Sequence, residues 1–458
     1  MDYIIEPKPL SGTIDAIASK SAAHRLLIMA ALADATCDID CATTSKDIDA
    51  TIACLEALGA RIARTKTGFR VRPIPQGAPA GGADAPATVP TLDCGESGST
   101  LRFMLPVVCA LGRPVRLMGH GRLAERPLSP LYEQLVEHGA VLSPAGTLPL
   151  EVSGTLAGGT FELPGDVSSQ YVSGLLMAAA ALPDDVTVLV SEPVESRAYI
   201  DMTVSALAAF GVTVDVRAAE KSGHALLAYR VSGSARPVSA GAVSVEGDWS
   251  NAAFWLSSGA CGGTVGVRGL DLASGQGDRA CLAALAAFGA RVSTGAGTAS
   301  VTHDGLRGRT IEASGIPDLV PPLAGVATLC EGTTRIVGAA RLRLKESDRL
   351  ETVRAALTAM GADVTVEDDG LTIRGRGTLA GGEVDAANDH RIAMMAAICG
   401  AHATGPTTIH GAECVQKSYP AFFDDFCALG GIARPAPDAA GTAATNAAKD
   451  TITSESEA

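Results

Sequence analysis

The sequence predicts an α/β protein of two similar domains, each built from three repeat units packed around buried helices. Three observations point there. At 458 residues the chain suits two to three domains of ordinary size. A phrase made of an amphipathic helix end, a glycine and a strand recurs at Gly59, Gly139, Gly211, Gly289, Gly361 and Gly430, with separations of 80, 72, 78, 72 and 69 residues. A second phrase, a polar start followed by a wholly apolar helix, also recurs six times and falls between the copies of the first. Six units are too many for one small core, and three plus three gives two domains.

The units can be followed along the chain. SKSAAHRLLIMAALA (19–33) predicts the first buried helix, because it is apolar nearly all round. CLEALGARI then closes a half-buried helix at Gly59, where glycine supplies the left-handed stop. RPIPQGAPAGGADAPATVP (72–90) reads as an inserted Pro/Gly/Ala loop. SGSTLRFMLPVVCALG and SSQYVSGLLMAAAAL open the second and third units near 97 and 168, which end at QLVEHGAVL and ALAAFGVTV. SNAAFWLSSGAC, PDLVPPLAGVATLC and NDHRIAMMAAIC open the last three near 250, 317 and 388. β-like runs such as PVRLMGHG, GTTRIVGAA and GPTTIHGAE follow the buried helices. After each of the first five glycines two strands and a short turn are read, as in ADVTVEDDGLTIRG. From about 435 onward the chain reads as a disordered tail.

Composition narrows the function. Apolar residues make up 47% and aromatics only 4%, so the core must be built of Ala, Val and Leu. The net charge of −14 argues against nucleic acid or an anionic membrane as partner. Eleven cysteines, with no CxxC pair and no zinc-type spacing, read as free thiols in a reducing compartment. MDYIIEPKPL lacks the apolar run of a signal peptide, and no stretch of about eighteen apolar residues occurs, so a cytoplasmic location is expected.

The helix starts carry the chemistry. The first four N–H groups of a helix lack partners within it, and with the helix dipole they form an anion site. Ser, Asp and Asn there are also the ordinary N-caps. Capping does not explain Lys20, Arg25, Arg102 and Arg391, which are read in the first turns, where a lone cation opposes the dipole. Arg126 in GRLAERPLSPL, the Lys345-Glu346-Asp348-Arg349 cluster in LRLKESDRLETVRAAL and Lys417 in VQKSYPAFF add further charge before helices. Together they predict a pocket for polyanions.

SKSAAHR, CGESGSTLRF, ERPLSPL, GDVSSQYVSGLLMAA, VEGDWSNAAFWL, SGIPDLVPPLA, RLKESDRL, NDHRIAMM and QKSYPAFF resemble, in this order, the motifs of the EPSP synthase (3-phosphoshikimate 1-carboxyvinyltransferase) family, from about residue 5 to 432. The resemblance implies the enolpyruvyl transferase fold, two domains of three βαβαββ units. They would comprise 19–244, and 245–434 together with the N-terminal segment 1–18. It implies transfer of the enolpyruvyl group of phosphoenolpyruvate to the 5-hydroxyl of shikimate 3-phosphate, by addition and then elimination of phosphate. No metal or redox cofactor is implied, and a monomer is expected.

Carried over residue by residue, the resemblance assigns shikimate 3-phosphate to Lys20, Ser21, Arg25, Ser168, Ser169, Gln170, Ser196 and Tyr199, with Asp318 and Lys345 on its hydroxyls. It assigns phosphoenolpyruvate to Lys20, Gly98, Arg126, Gln170, Arg349, Arg391 and Lys417. Asp318 and Glu346 are the acid/base candidates, with Lys20 close enough to share the proton work. Gly98 further implies sensitivity to glyphosate, competitive with phosphoenolpyruvate. Two residues depart from the family pattern: Glu96, where many members have Asn, and Arg341, also in place of Asn. Glu96 would need a cation beside it, for which Arg102 and Arg126 are the candidates, and Arg341 would add a phosphate contact. Three alternatives fit the sequence less well. A UDP-N-acetylglucosamine enolpyruvyl transferase would carry a Lys-Asn pair near the N-terminus and a loop cysteine, and GHGRLAERPL has none. A non-catalytic anion-binding protein would not need Lys20, Asp318, Glu346 and Lys417 together. An RNA 3′-phosphate cyclase fits poorly with the acidic charge.

Overall fold

The computed structural model describes residues 1–75 and 89–437. Six buried helices organise it: Lys20–Leu32, Gly98–Leu111, Ser169–Ala179, Trp249–Cys261, Val320–Leu329 and His390–Gly400. Each is buried almost throughout beyond its first turn, so no single face is left for water. Five begin at a side chain that accepts a backbone N–H: Ser19, Ser97, Ser168, Asp248 and Asp389. The remaining one is entered through the 3-10 turn Pro317–Leu319.

Six four-stranded sheets cover these helices, all with one topology: a parallel pair, then two antiparallel additions. Thr91–Asp93, Val115–Met118, Leu150–Gly154 and Ala140–Leu142, in spatial order, show the pattern without interruption. In chain order that unit runs strand, buried helix, strand, second helix, hairpin. The same β-hairpin closes the first five units, and the glycine before each second strand pair has φ between 76° and 112°, a region other residues seldom adopt. Gly430, in the sixth, has φ 87°. Two sheets are completed by distant strands. Ala242–Ser244 pairs in parallel with Cys37–Asp40, and Gly12–Asp15 with Thr264–Arg268. Tyr3–Glu6 sits between Thr407–His410 and Ile432–Pro435 in the last sheet.

The buried side chains form two clusters. One runs from Ala23 to Val231. The other takes Trp249 to Leu429 together with Ile5, Leu10, Ile14 and Ile17. The chain therefore crosses between the two cores twice, just before Lys20 and just before Trp249.

Some expectations need correcting. The strand Ile432–Pro435 and a bond from the Ala436 N–H to the Asp2 carbonyl (2.8 Å) order the start of the segment read as tail. The rest of that tail, and residues 76–88 of the inserted loop, lie outside the described residues. Arg25 and Arg102 stand in the second turns of their helices rather than the first, because Ser19 and Ser97 are the caps. All eleven cysteines are unpaired, and only Cys427 is exposed. Among the described residues no helix is long and apolar enough to cross a membrane.

Candidate active site

The starts of all six buried helices meet at one cleft between the two cores. Lys20, Ser99, Ser169, Ser250, Asp318 and His390, one from each start, line it. So do Ser21, Arg25, Arg126, Ser168, Gln170, Ser196, Tyr199, Lys345, Glu346, Arg349 and Arg391. Gly98 and Lys417 stand just behind this wall, while their neighbours Ser99 and Ser418 are in it.

Two arginines on the side of the first core, Arg25 and Arg102, lack the ion pairs that burial normally demands, and a third, Arg126, has only a distant one. Arg25, 2% exposed, is held by neutral groups alone. Its Nε donates to Thr203 Oγ1 (2.7 Å), Nη1 to the Ser21 carbonyl, and Nη2 to Ser173 Oγ and the Tyr199 carbonyl. Arg102 donates to Gln170 Oε1 (2.9 Å) and the Pro127 carbonyl (3.1 Å). Burial brings both guanidinium groups down to about 10. Arg126 is the extreme case. Its Nε and Nη1 are buried with no hydrogen-bond partner among the described residues, and Glu346 Oε1 is 3.7 Å from Nη1. A Cβ on Gly98 would lie 2.5 Å from that Nη1. Glycine at this helix start is what lets the Arg126 guanidinium lie against the backbone.

The second core answers with a carboxylate cluster. Arg349, 1% exposed, donates from Nε to Asp389 (2.8 Å), from Nη1 to Asp318 (2.9 Å) and from Nη2 to Glu346 (2.6 Å). It thus positions both acid/base candidates, and its nitrogens are already engaged. Arg391 donates from Nη2 to Asp318 (3.1 Å) and to Ser250 Oγ (2.6 Å). Burial alone would raise Asp318, but Arg391, Lys345 and Arg349 outweigh it and hold the carboxyl well below the usual range. Glu346 is likewise opposed by burial and carried well below its usual range by Arg349, Arg126 and Lys345. Lys345 is brought down to about 8 by burial, against the pull of Asp318. His24 and His390 are kept neutral by burial and nearby cations.

Several contacts bridge the cleft. Arg341 donates from Nη2 to Ser196 Oγ (2.8 Å) and pairs with Glu195. Ser196 itself is left-handed, with φ 53°, an uncommon conformation for serine and one that clusters at functional sites. Glu96 receives Lys417 Nζ (2.8 Å) and Asn388 Nδ2 (2.8 Å). Its cation is therefore Lys417, not Arg102 or Arg126 as the sequence suggested. The reason is geometric: Lys417 reaches across from the other core, whereas Arg102 points to Gln170. Lys20 pairs with Asp47 (2.9 Å), and its backbone N–H donates to Asp248 (3.1 Å).

Four acids of the site were missed in the sequence: Asp47, Asp248, Asp278 and Asp389. Asp248 and Asp389 had a signal, being N-caps of buried helices. Asp47 and Asp278 had none, since neither belongs to a recurring phrase.

Two cores, six converging helix starts, poorly compensated buried cations and a clustered pair of carboxylates make a cleft suited to small polyanions between the halves. The EPSP synthase family model, described as 3-phosphoshikimate 1-carboxyvinyltransferase, matches residues 4–426. The chain belongs to that family and is an enzyme. Relatives named 3-phosphoshikimate 1-carboxyvinyltransferase include one from Clostridium kluyveri, 38% identical over 94% of this chain and 98% of its own length. Another, from Clostridium acetobutylicum, is 39% identical over 93% of this chain and 97% of its own length. A solved EPSP synthase from Acinetobacter baumannii superposes with a TM-score of 0.75 at 26% identity, covering 95% of this chain and all of that one.

Proposed function

We propose a division of labour for 3-phosphoshikimate 1-carboxyvinyltransferase activity in which each core brings one half of the chemistry. The two halves are a domain of residues 19–244 and a domain of 245–434 with 1–18. Shikimate 3-phosphate lies on Ser21, Arg25, Ser168, Ser169, Gln170, Ser196 and Tyr199, with Asp318 and Lys345 at its hydroxyls. Arg341 supports this end by its bond to Ser196. Phosphoenolpyruvate lies between Arg126, Gln170, Arg391 and Lys417, against the backbone at Gly98. Arg349 serves it indirectly by holding the carboxylates, and Lys20 sits between the two substrates.

Asp318 takes the proton of the 5-hydroxyl as its oxygen attacks C2 of phosphoenolpyruvate. Glu346 delivers a proton to C3, giving the tetrahedral intermediate, and recovers it when phosphate leaves. Glu346 is ionised in the unliganded cleft. Anionic substrates on Arg126, Lys345 and Lys20 offset the cations that hold its pKa down, so the acid form becomes accessible only when both are bound. The observation that carries this reading is Arg126, with two buried nitrogens unpartnered. An unsatisfied buried cation is costly unless an anion meets it. Phosphate release measured with shikimate 3-phosphate and phosphoenolpyruvate, against UDP-N-acetylglucosamine as control acceptor, tests it. Release with the UDP-sugar alone overturns it.

A further inference from the structure

Tyr199 presents one hydroxyl to two carboxyl groups. It lies 2.9 Å from Asp278 Oδ2 and 3.3 Å from Asp318 Oδ2. A hydroxyl has one proton to give, so it bonds well to both carboxyls only when one of them is protonated and donates to it. Asp278 is 3% exposed on the turn Gly277–Ala280, and its Oδ1 has no hydrogen-bond partner among the described residues. Asp278 also lines a small cavity with Ser19, Ser21, Met202, Asp248, Ser250 and Gln276, next to the main cleft. Asp278 is thus a buried carboxyl with one unpartnered oxygen among the described residues, one hydroxyl away from the proposed base of the reaction.

We infer that Asp278 and Tyr199 form a proton relay for Asp318, which drains the proton that Asp318 takes from the 5-hydroxyl. The inference rests on the reading of Asp318 as the base. When the C–O bond forms at C2, the hydroxyl proton moves to Asp318. Asp318 then donates it to the Tyr199 oxygen as the Tyr199 O–H proton passes to the Asp278 carboxylate. Tyr199 is neutral before and after, Asp318 is again a carboxylate, and Asp278 is a carboxylic acid. Its proton leaves through the small cavity to water, and no other reactant is needed. Concerted transfer suits Tyr199, because burial and the two acids push its own ionisation far above the usual range.

The groups facing Asp278 define its titration. Tyr199 comes from the helix Arg197–Ala209, Asp318 from the turn Pro317–Leu319, Arg391 from the helix His390–Gly400, and Asp248 and Ser250 from the start of Trp249–Cys261; Cys281 follows on its own segment. Burial and the Asp318 charge raise the Asp278 carboxyl to about 6, against Arg391, which lowers it. The relay needs Asp278 as carboxylate, so it is open above that pH and closed below it. Asp318 and Glu346 titrate well below this range.

The test is kcat at saturating substrates from pH 5 to 8 for the wild type, Asp278→Asn, Tyr199→Phe and Asp318→Asn. The ratio of wild-type to variant kcat cancels the ionisation of the substrates' own phosphates. For Asp278→Asn the ratio is expected to be tenfold or more at pH 8 and to fall toward one below pH 6. Tyr199→Phe should show the same pH-dependent ratio, and it covers the case in which Asp278→Asn does not fold. A ratio constant with pH in the variants that fold means a packing role only and overturns the relay. Asp318→Asn separates the two readings. If it keeps wild-type turnover, the base assignment fails. If it abolishes turnover while Asp278→Asn behaves as wild type, the relay alone fails.

Discussion

Gly98 has no side chain, and the Arg126 guanidinium occupies the space where one would stand, with Nη1 2.5 Å and Nη2 2.8 Å from an added Cβ. Gly98→Ala therefore acts first on Arg126, a flexible side-chain end, and through it on the anion. Losing one charged hydrogen bond costs about 1.5–3 kcal/mol. The expected outcome is a rise of roughly ten- to a hundredfold in KM for phosphoenolpyruvate and a larger rise in the glyphosate inhibition constant. The melting temperature should hold, since alanine favours a helix. An unchanged KM and unchanged glyphosate sensitivity would mean that Gly98 only starts a helix. Glu346→Gln removes the proposed acid and keeps its shape. A general acid typically contributes about 10²–10⁴ in rate, so turnover should drop by that order with little change in either KM. A loss below about tenfold would move the role to Asp318. The cationic character of the cleft was legible from charges around the helix starts, while the roles given to Gly98 and Glu346 rest on the family resemblance. Partner choice was not legible. Glu96 finds Lys417 some three hundred residues away, and Arg349 spends its nitrogens on Asp318, Glu346 and Asp389, and no local pattern announces such pairings.

Helix contacts explain how the wall is held in place. The helix Gly98–Leu111 contains Pro106, which lacks an N–H and so leaves the Arg102 carbonyl without its usual bond. Gly174, on the neighbouring buried helix, comes so close to that carbonyl that a Cβ there would be 2.5 Å from its oxygen and 2.8 Å from Pro106 Cγ. Proline on one helix and glycine on the other thus make one close crossing. This crossing sets the depth of Arg102, whose side chain holds Gln170 in the cleft. Gly174→Ala meets rigid backbone rather than a side-chain end. It should destabilise by about 1–3 kcal/mol in denaturant unfolding and also lower turnover, because Arg102 and Gln170 shift. Full stability would show that the two helices can slide apart freely. The recurring glycines were readable because a left-handed stop has a strong local signature. Gly174 and Pro106 were not, because their meaning depends on a helix that lies seventy residues away in the chain.

At the scale of the whole molecule, opposite requirements meet in the cleft. Arg341 to Ser196 and Glu195, Lys417 to Glu96, and Tyr199 to Asp278 all draw the two cores together. Arg25 and Arg102, with no carboxylate beside them, and Arg126, with Glu346 only at 3.7 Å, work against this in the absence of ligand, since a narrow cleft strips water from poorly compensated cations. Substrate anions remove that penalty, so closure should be driven by binding, and neither core carries a complete site alone. The net charge of −14 opposes the approach of both substrates, and only the local cations reverse it. Two measurements follow from this balance. Raising ionic strength should weaken the apparent affinity for both substrates, as screening acts on the pairs that hold them. Small-angle scattering should show the radius of gyration falling when shikimate 3-phosphate is added, and falling further when glyphosate, proposed to occupy the phosphoenolpyruvate site without reacting, joins it. Arg126→Gln tests the cause, since it removes a penalty cation and leaves the Arg341, Lys417 and Tyr199 contacts in place, losing across the cleft only the 3.7 Å approach to Glu346. The free variant should already be more compact than the free wild type. Equal radii for the two free proteins, together with no change on saturation, would show that the cross-cleft pairs alone hold the cores together.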